Sequence, residues 1–395
     1  MTRRITSLVA VLVIGTAACS SAAEDPTTTT EVLSANTSET STTHGSPDTT
    51  SSSTTTLTTP DTSSTTSTPP QASAPSSLDA IVNARYKSGA GAVIVGVFEG
   101  AQSFVAAAGL DGDGQAVAAD RPWTTASMAK VFTAATTMQL VEDGEIALDD
   151  PVANYVDFPI SQEITVRHLL EHKSTIPSMF SHINACTDQA TLDEVVDLAG
   201  QPQLTEPGQA VAYSNTNFLL LGLIIGSVTG QDPGEYIDEK IFTPLGMEDT
   251  YWFESQQGQS PWWPRPAATQ GVALFDCGEL GQTIGTDGAA VTTIQDMDRF
   301  YRGLFGNEVV ADQTLETMLE MSSGIFGFRY GLGLLEMVND SYPDDVLYGF
   351  GGDGLFYKTA AFYDPAKDRT VAVFTSIGEQ QSLLWQAIGW ANSQP

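Results

Sequence analysis

The apolar positions along the chain change their period twice. From Gly91 to Phe98 the residues read GAVIVGVF, and beyond Glu99-Gly100 a second such run covers Ser103 to Ala108. Two β-rich runs about a glycine turn predict a hairpin. From Thr125 the spacing becomes helical: Val131, Ala134, Ala135, Met138 and Val141 share a face, and Gly144 closes the segment. Val166 to His172, Leu192 to Ala199 and Phe218 to Val228 predict further helices, the last of them stopped by Gly230. Strands return at Gly331 to Val338, Leu355 to Tyr363 and Thr370 to Ile377, and Ser382 to Trp390 predicts a closing helix. Strands at both ends with helices between them imply an α/β chain of the α+β kind. The expected architecture is an antiparallel sheet built from both chain ends, flanked by helices, with a mostly helical inserted domain. The sheet part is expected at about 78–125 and 286–395 and the helical part at about 126–285.

The first 77 residues follow neither period. Arg3 and Arg4 precede an uncharged stretch from Ile5 to Ala18, the pattern of an exported protein's signal peptide. As a helix it would rise about 21 Å, short of the ~30 Å needed to span a bilayer. It ends in Thr16-Ala17-Ala18-Cys19, which resembles a bacterial lipobox in which Cys19 takes a lipid, although Thr16 stands where leucine is commoner. The alternative is a simple secretory peptide cut near Ala18. Residues 20–77 are mostly Ser and Thr with scattered Pro, too poor in large apolar groups to offset the entropy of ordering, and are expected to form a disordered stalk. Its reach would be about 40 Å as a coil and about 190 Å extended. The expectation is therefore a signal peptide over 1–19, a stalk over 20–77 and a folded domain over 78–395. That domain would be lipid-anchored to the outer face of a bacterial cell membrane, or secreted, touching the membrane only through the N-terminal lipid.

Charge narrows the partners. The 395 residues carry 16 Lys and Arg against 48 Asp and Glu, a formal charge of -32. Two of the basic and six of the acidic residues precede residue 78, so 14 and 42 fall in the remainder and leave it at -28. Such an excess argues against nucleic acid or an anionic surface as a partner. A hydrophobic content of 41% supports a sizeable core. Three cysteines are too few for a disulfide-dense scaffold. With Cys19 set aside, Cys186 and Cys277 would either form one disulfide or stay as two buried thiols.

Candidate chemistry begins at Thr125-Ala126-Ser127-Met128-Ala129-Lys130, which contains S-x-x-K. A serine and a lysine three apart at a helix start share one face. Serine is a weak nucleophile that needs a base, and burial disfavours an ammonium, so a neutral lysine amine can take its proton. Tyr213-Ser214-Asn215 follows Pro207-Gly208 and precedes the apolar helix. A phenol can relay a proton and an amide can hold a carbonyl, although a helix cap is the plainer use of Ser214 or Asn215. His168-Leu169-Leu170-Glu171-His172 is an H-x-x-E-H string that zinc peptidases also use, with His182 close in sequence. Trp252, Trp262 and Trp263 lie in a Pro-rich loop and would either wall a binding site or pack the loop down.

Nearly all of the folded segment resembles the serine β-lactamase and penicillin-binding-protein superfamily, in the branch of class C β-lactamases, D-Ala-D-Ala carboxypeptidases and related esterases. Ser127-Met128-Ala129-Lys130 matches its first motif, and AKVFTAATTMQLVEDGEIALDDPVANYV resembles its nucleophile helix and the turn after it. ITVRHLLEHKSTIPS, from Ile164 to Ser178, SNTNFLLLGLIIGSVTG and IFTPLGMEDT follow in the family's order, and Tyr213-Ser214-Asn215 matches its Y-x-N motif. The resemblance implies a β-lactamase/transpeptidase-like fold and an exported serine hydrolase acting on an amide or ester without a metal or organic cofactor. Ser127 would be the nucleophile of an acyl-enzyme, with Lys130 and Tyr213 sharing the acid/base work. Asn215 would orient the substrate and Lys130. The backbone N–H of Ser127 and a donor near Asp353 on a C-terminal edge strand would hold the oxyanion. In that setting the histidines of the H-x-x-E-H string serve packing, and no metal is expected.

The third motif departs from the family. H-x-G or K-T-G is usual, and this chain reads Tyr348-Gly349-Phe350-Gly351-Gly352-Asp353. Phe350 replaces the cation that would hold a substrate carboxylate, Asp353 adds an anion, and Gly351 and Gly352 still permit close approach of a ligand. The change disfavours a β-lactam or a C-terminal D-alanine and favours a neutral ester or amide, unless Lys358 or Arg329 supplies the charge. The expected partner is thus a small molecule or a peptide, peptidoglycan included. A catalytically weak, surface-tethered protein that binds wall peptides is the alternative.

Overall fold

The computed structural model describes residues 77–86, 91–110, 114–157, 159–179, 197–200, 206–252, 285–325, 327–354, 357–376, 378 and 380–394. The expectations for the signal peptide, the stalk, Cys19, Cys186, Cys277, His182, Trp262 and Trp263 lie outside the described residues.

The first helix, α1 (Leu78–Arg85), starts where Ser77 Oγ accepts the Ala80 N–H at 3.1 Å. The sequence pattern had no expectation for it. The hairpin follows as β1 (Ala92–Glu99) and β2 (Gln102–Gly109), turned at Gly100 with φ +55°. The C-terminal strands are β6 (Ser322–Ile325), β7 (Phe328–Tyr330), β8 (Leu335–Asn339), β9 (Tyr342–Asp353), β10 (Lys358–Asp364) and β11 (Arg369–Thr375). Together they make one antiparallel sheet in the order β2-β1-β11-β10-β9-β8-β7-β6. Strands from the two ends of the domain meet at the β1–β11 seam, so the expected antiparallel sheet with flanking helices is the fold observed.

The seam is the middle of the core. Every residue of β11 is buried, because helices cover both faces of this part of the sheet. The closing helix, α7 (Gln380–Ala391), packs on β11, β1 and β10 beside α1. The other face meets α6 (Ile294–Phe305), whose Asp298 accepts the Thr370 hydroxyl at 2.6 Å. There Gly96 makes room for Ile294, whose Cδ1 lies 2.8 Å from where a Cβ would stand.

Between the two sets of strands lie α2 (Lys130–Glu142), α3 (Val166–Leu170), α4 (Asn215–Thr229) and α5 (Pro233–Ile237). A small sheet joins β3 (Trp123–Thr124), β4 (Tyr251–Trp252) and β5 (Ala290–Thr292) in the order β3-β5-β4. Helix α2 is buried on nearly every side, which is why its Thr133, Thr136 and Thr137 are buried as well. Phe132 fixes it edge-on between Phe242 and Phe300, with ring centroids 4.9 and 4.8 Å away. Helix α4 ends where expected, at Gly230 with φ +72°.

Three expectations need correction. The helix at Val166 stops at Leu170, because His172 takes φ +54° and turns the chain. The helix expected from Phe218 starts at Asn215, with Ser214 as the extended residue before it. The strand carrying Phe350 is no sheet edge: β9 lies between β8 and β10. Its pairing with β8 runs only as far as Gly349, so beyond that residue its β8 side is open locally. Of the two uses open to Trp252, packing is the one observed: it is 1% exposed on β4, stacked on Phe242 at 6.5 Å.

Candidate active site

The site begins with a backbone pinned from two sides. Thr125 sends both its N–H and its hydroxyl to the Ala290 carbonyl on β5, at 2.9 and 2.8 Å. Its own carbonyl accepts the Thr359 hydroxyl of β10 at 2.6 Å. Ala126 then takes φ +47°, a left-handed conformation that costs a residue with a Cβ roughly 1–2 kcal/mol. The strained residue leads into a 3-10 turn, Ala126–Ala129, which runs directly into α2. This puts Ser127 and Lys130 on the same side of one continuous helical segment.

Strand β9 passes close behind that turn. A Cβ on Gly352 would fall 2.1 Å from the Thr125 carbonyl oxygen and 2.4 Å from Thr359 Oγ1. Only glycine allows the approach, and it brings Gly352 alongside Ala126. Gly351 is different: the nearest atoms to its Cβ position are 3.5 Å away, an ordinary contact.

Lys130 is fully buried and all three of its N–H groups find acceptors. They are Asn215 Oδ1 at 2.7 Å, the Asp287 carbonyl at 2.6 Å and Ser127 Oγ at 3.1 Å. The amine also stands over the rings of Tyr213 and Phe218, at 5.4 and 5.5 Å. The Tyr213 hydroxyl donates to Ser127 Oγ at 2.7 Å and lies 3.3 Å from Asn215 Oδ1. Ser127, Lys130, Tyr213 and Asn215, named from two separate motifs, therefore form one hydrogen-bonded cluster.

The supports of Tyr213 and Asn215 come from the segment after α3. The His172 ring lies 4.5 Å from the Tyr213 ring, and its Nδ1 accepts the Ser214 N–H at 3.2 Å. Burial first, and then the charge of Lys130, push His172 well below its ordinary range, so the imidazole is neutral. Ser178 Oγ accepts from the N–H and the Nδ2 of Asn215, at 3.4 and 3.3 Å. His168 is spoken for elsewhere: its Nδ1 accepts the Thr165 N–H in the capping box that starts α3. The two histidines of the H-x-x-E-H string are thus engaged with backbone. Among the described residues no group of three or more His, Cys, Asp or Glu side chains is placed to hold a metal.

Phe350 is 3% exposed and meets the Tyr330 ring edge-on at 6.1 Å. Tyr330 in turn faces His172 at 5.3 Å. A run of rings thus links β9 to Tyr213 where the motif usually has a cation. Asp353 sits opposite Lys358 on the β9–β10 ladder and the two pair at 2.7 Å, so the anion added at 353 is balanced by its neighbour. Arg329 is bound to Glu336 at 2.7 Å on the adjacent strand. Two residues of the cluster had no signal in the sequence reading. Ser178 entered only as the end of a motif, and Asp287 was not singled out at all.

The sheet with its helical insertion, and a serine held between a buried lysine and a tyrosine at their junction, define a member of the serine β-lactamase and penicillin-binding-protein superfamily. The Beta-lactamase family model matches residues 78–383, and the chain belongs to that family. Penicillin-binding protein 4 of Amycolatopsis lactamdurans is 30% identical over 222 residues, which cover 51% of this chain and 56% of that protein. Protein flp of Staphylococcus aureus (strain MW2) is 35% identical over 133 residues, 32% of this chain and 27% of that one. The matches thus span little more than half the length of these curated relatives, or less. Among solved structures, the D-amino acid amidase of Ochrobactrum anthropi SV3 aligns with a TM-score of 0.71 at 23% identity, over 80% of this chain and 96% of that one. The penicillin binding protein of Bacillus halodurans aligns at 0.63 and 22% identity, over 79% and 98%. The structural likenesses show the fold.

Proposed function

We propose that this protein is an exported serine hydrolase that cleaves a neutral amide or ester through an acyl-enzyme on Ser127. The observation that carries the reading is the double hydrogen bond to Ser127 Oγ, from Lys130 Nζ at 3.1 Å and from the Tyr213 hydroxyl at 2.7 Å. In the first step Oγ bonds to the substrate carbonyl carbon and its proton passes into the Lys130–Tyr213 pair. The pair then gives a proton to the departing amine or alcohol as the old bond breaks. In the second step water attacks the ester carbon, the pair takes the water's proton, and Oγ leaves with a proton regained. Asn215 holds Lys130 in place and meets the acyl side of the substrate. The N–H groups of Ser127 and Asp353 are the proposed oxyanion donors, a contribution of about 3–4 kcal/mol for each such donor.

Phe350 supports the choice of a neutral leaving side. A buried phenyl ring offers nothing to a carboxylate, and the nearby Lys358 is engaged with Asp353. Peptidoglycan peptides stay within the substrate class where the residue next to the scissile bond carries no free carboxylate. Export rests on residues 1–19, with Cys19 as the proposed lipid site, and a Cys186–Cys277 disulfide would suit that setting.

The test is hydrolysis of a panel: a nitrophenyl ester, a D-amino acid amide, a D-Ala-D-Ala peptide and nitrocefin, each with the wild type and with Ser127→Ala. The ester or the amide should be turned over fastest, with a loss of at least about a thousandfold in the variant. Preference for the D-Ala-D-Ala peptide would overturn the reading of Phe350. Binding of wall peptides with no turnover of any substrate would favour the tethered binder.

A further inference from the structure

We propose that the side-chain carboxylate of Asp287 is a positioning and charge-balancing partner of Lys130, a third ionisable member of the Ser127 site. This inference rests on the serine-hydrolase reading above. Lys130 Nζ lies 4.0 Å from Asp287 Oδ2, and both side chains are 0% exposed. A buried charge is costly by itself, and an opposite charge at this distance in a poorly solvated place acts far more strongly than the same pair in water. An ammonium and a carboxylate so placed attract one another.

The fold holds this carboxylate in place deliberately. Asp287 ends a 3-10 turn, Gly285–Asp287, gripped by both central helices. From α2, the Thr133 hydroxyl donates to the Thr286 carbonyl at 2.7 Å. Toward α4, the Thr286 hydroxyl donates to the Phe218 carbonyl at 2.6 Å. Gly222 of α4 has no Cβ to keep the turn away, and one built there would lie 2.2 Å from Thr286 Oγ1. The turn thus presents two oxygens to one amine: the backbone carbonyl as a hydrogen-bond acceptor and the carboxylate as a counter-charge.

The other ionisable groups facing the pair are His172 from behind α3, Tyr213 from before α4 and Tyr357 from before β10. His172 is neutral, as burial and Lys130 dictate. Burial above all pushes Tyr357 up to about 12, and Asp287 acts in the same direction. Tyr330 lies beyond Tyr213 and is pushed well above its ordinary value, chiefly by burial. Asp287 is the acidic group among these that lies beside Lys130, at 4.0 Å.

The test is the rate of labelling of the full chain by a fluorophosphonate, measured across pH for the wild type and Asp287→Asn. Removing an anion from beside the site disfavours its more protonated, cationic form. The limb set by the pair then moves to lower pH, whether the pair works through a neutral amine or through an ammonium beside a phenolate. The expected displacement is about one pH unit or more, a tenfold rate difference at a pH on the limb. A limb that stays in place or moves upward overturns the proposal, however much the overall rate falls. Should Asp287→Asn fail to fold, Asp287→Ala is read in the same way. Failure of both to fold would make Asp287 a purely structural residue and equally overturn it. A wild type that takes no label at any pH would strike the serine-hydrolase reading itself, whereas labelling with an unmoved limb strikes only the role of Asp287.

Discussion

Lys130 shows how much one buried side chain can be asked to do. It has no exposure, three acceptors and two aromatic rings around it, and it is one helical turn from the hydroxyl it serves. Tyr213 reaches the same oxygen from the other side, so the proton of Ser127 has two neighbours within hydrogen-bond range. Tyr213→Phe removes one of them while keeping the ring that His172 supports. The expected loss in kcat/KM is about 10²- to 10⁴-fold, measured on the fastest substrate of the panel, with folding unchanged by circular dichroism. Phe350 makes the opposite kind of prediction. Phe350→His restores a polar ring beside the Tyr330–His172–Tyr213 run, and kcat/KM for a carboxylate-bearing peptide should rise relative to the neutral amide. No relative gain would mean that residue 350 does not decide the substrate.

At the scale of elements, the site depends on how closely β9 can pass the turn before α2. Gly352→Ala places a methyl group against the Thr125 carbonyl and the Thr359 hydroxyl, the contacts that hold Ala126 in its strained conformation. A loss of about 1–3 kcal/mol in unfolding free energy is expected, together with slower labelling of Ser127. Gly351→Ala meets only ordinary contacts and should stay within about 0.5 kcal/mol of the wild type. Chemical denaturation of the two variants side by side checks the contrast. These elements were unequally legible in the sequence. Helices α2 and α4 announce themselves because long apolar runs end at Gly144 and Gly230. Strand β9 does not, because YPDDVLYGFGGD mixes acidic residues and glycines and is held as a strand by its ladder with β10. Helix α6 is different: Ile294, Met297, Phe300, Tyr301 and Leu304 recur at helical spacing in IQDMDRFYRGLF, so its signal was present in the sequence and was overlooked.

Across the whole molecule, the chemistry is gathered from segments that sequence order keeps far apart. Ser127, Lys130, Tyr213 and Asn215 were legible because each sits in a short motif. Ser178 and Asp287 were not, since a lone polar residue gives no sign of which cluster the fold will bring it to. Burial of such groups also sets the response to acid. His172 is held neutral, so its folded value lies below the unfolded value of about 6.5. The unfolded chain therefore binds the extra proton first, and stability that is present above about 6.5 is lost as pH falls below it. Asp296, Asp298 and Asp364 are raised, chiefly by burial, and act in the opposite sense as pH falls. The clean reading is therefore a difference. Between pH 7.5 and 5.5 the melting temperature of the wild type should drop more steeply than that of His172→Asn, and parallel curves would refute the neutral buried imidazole.

The most direct measurement is the intact mass of the protein after brief exposure to a fluorophosphonate, followed by mapping of the modified peptide. One adduct per chain is expected, on Ser127, absent from Ser127→Ala and slowed in Tyr213→Phe. An adduct on any other residue, or one that survives in Ser127→Ala, would contradict it.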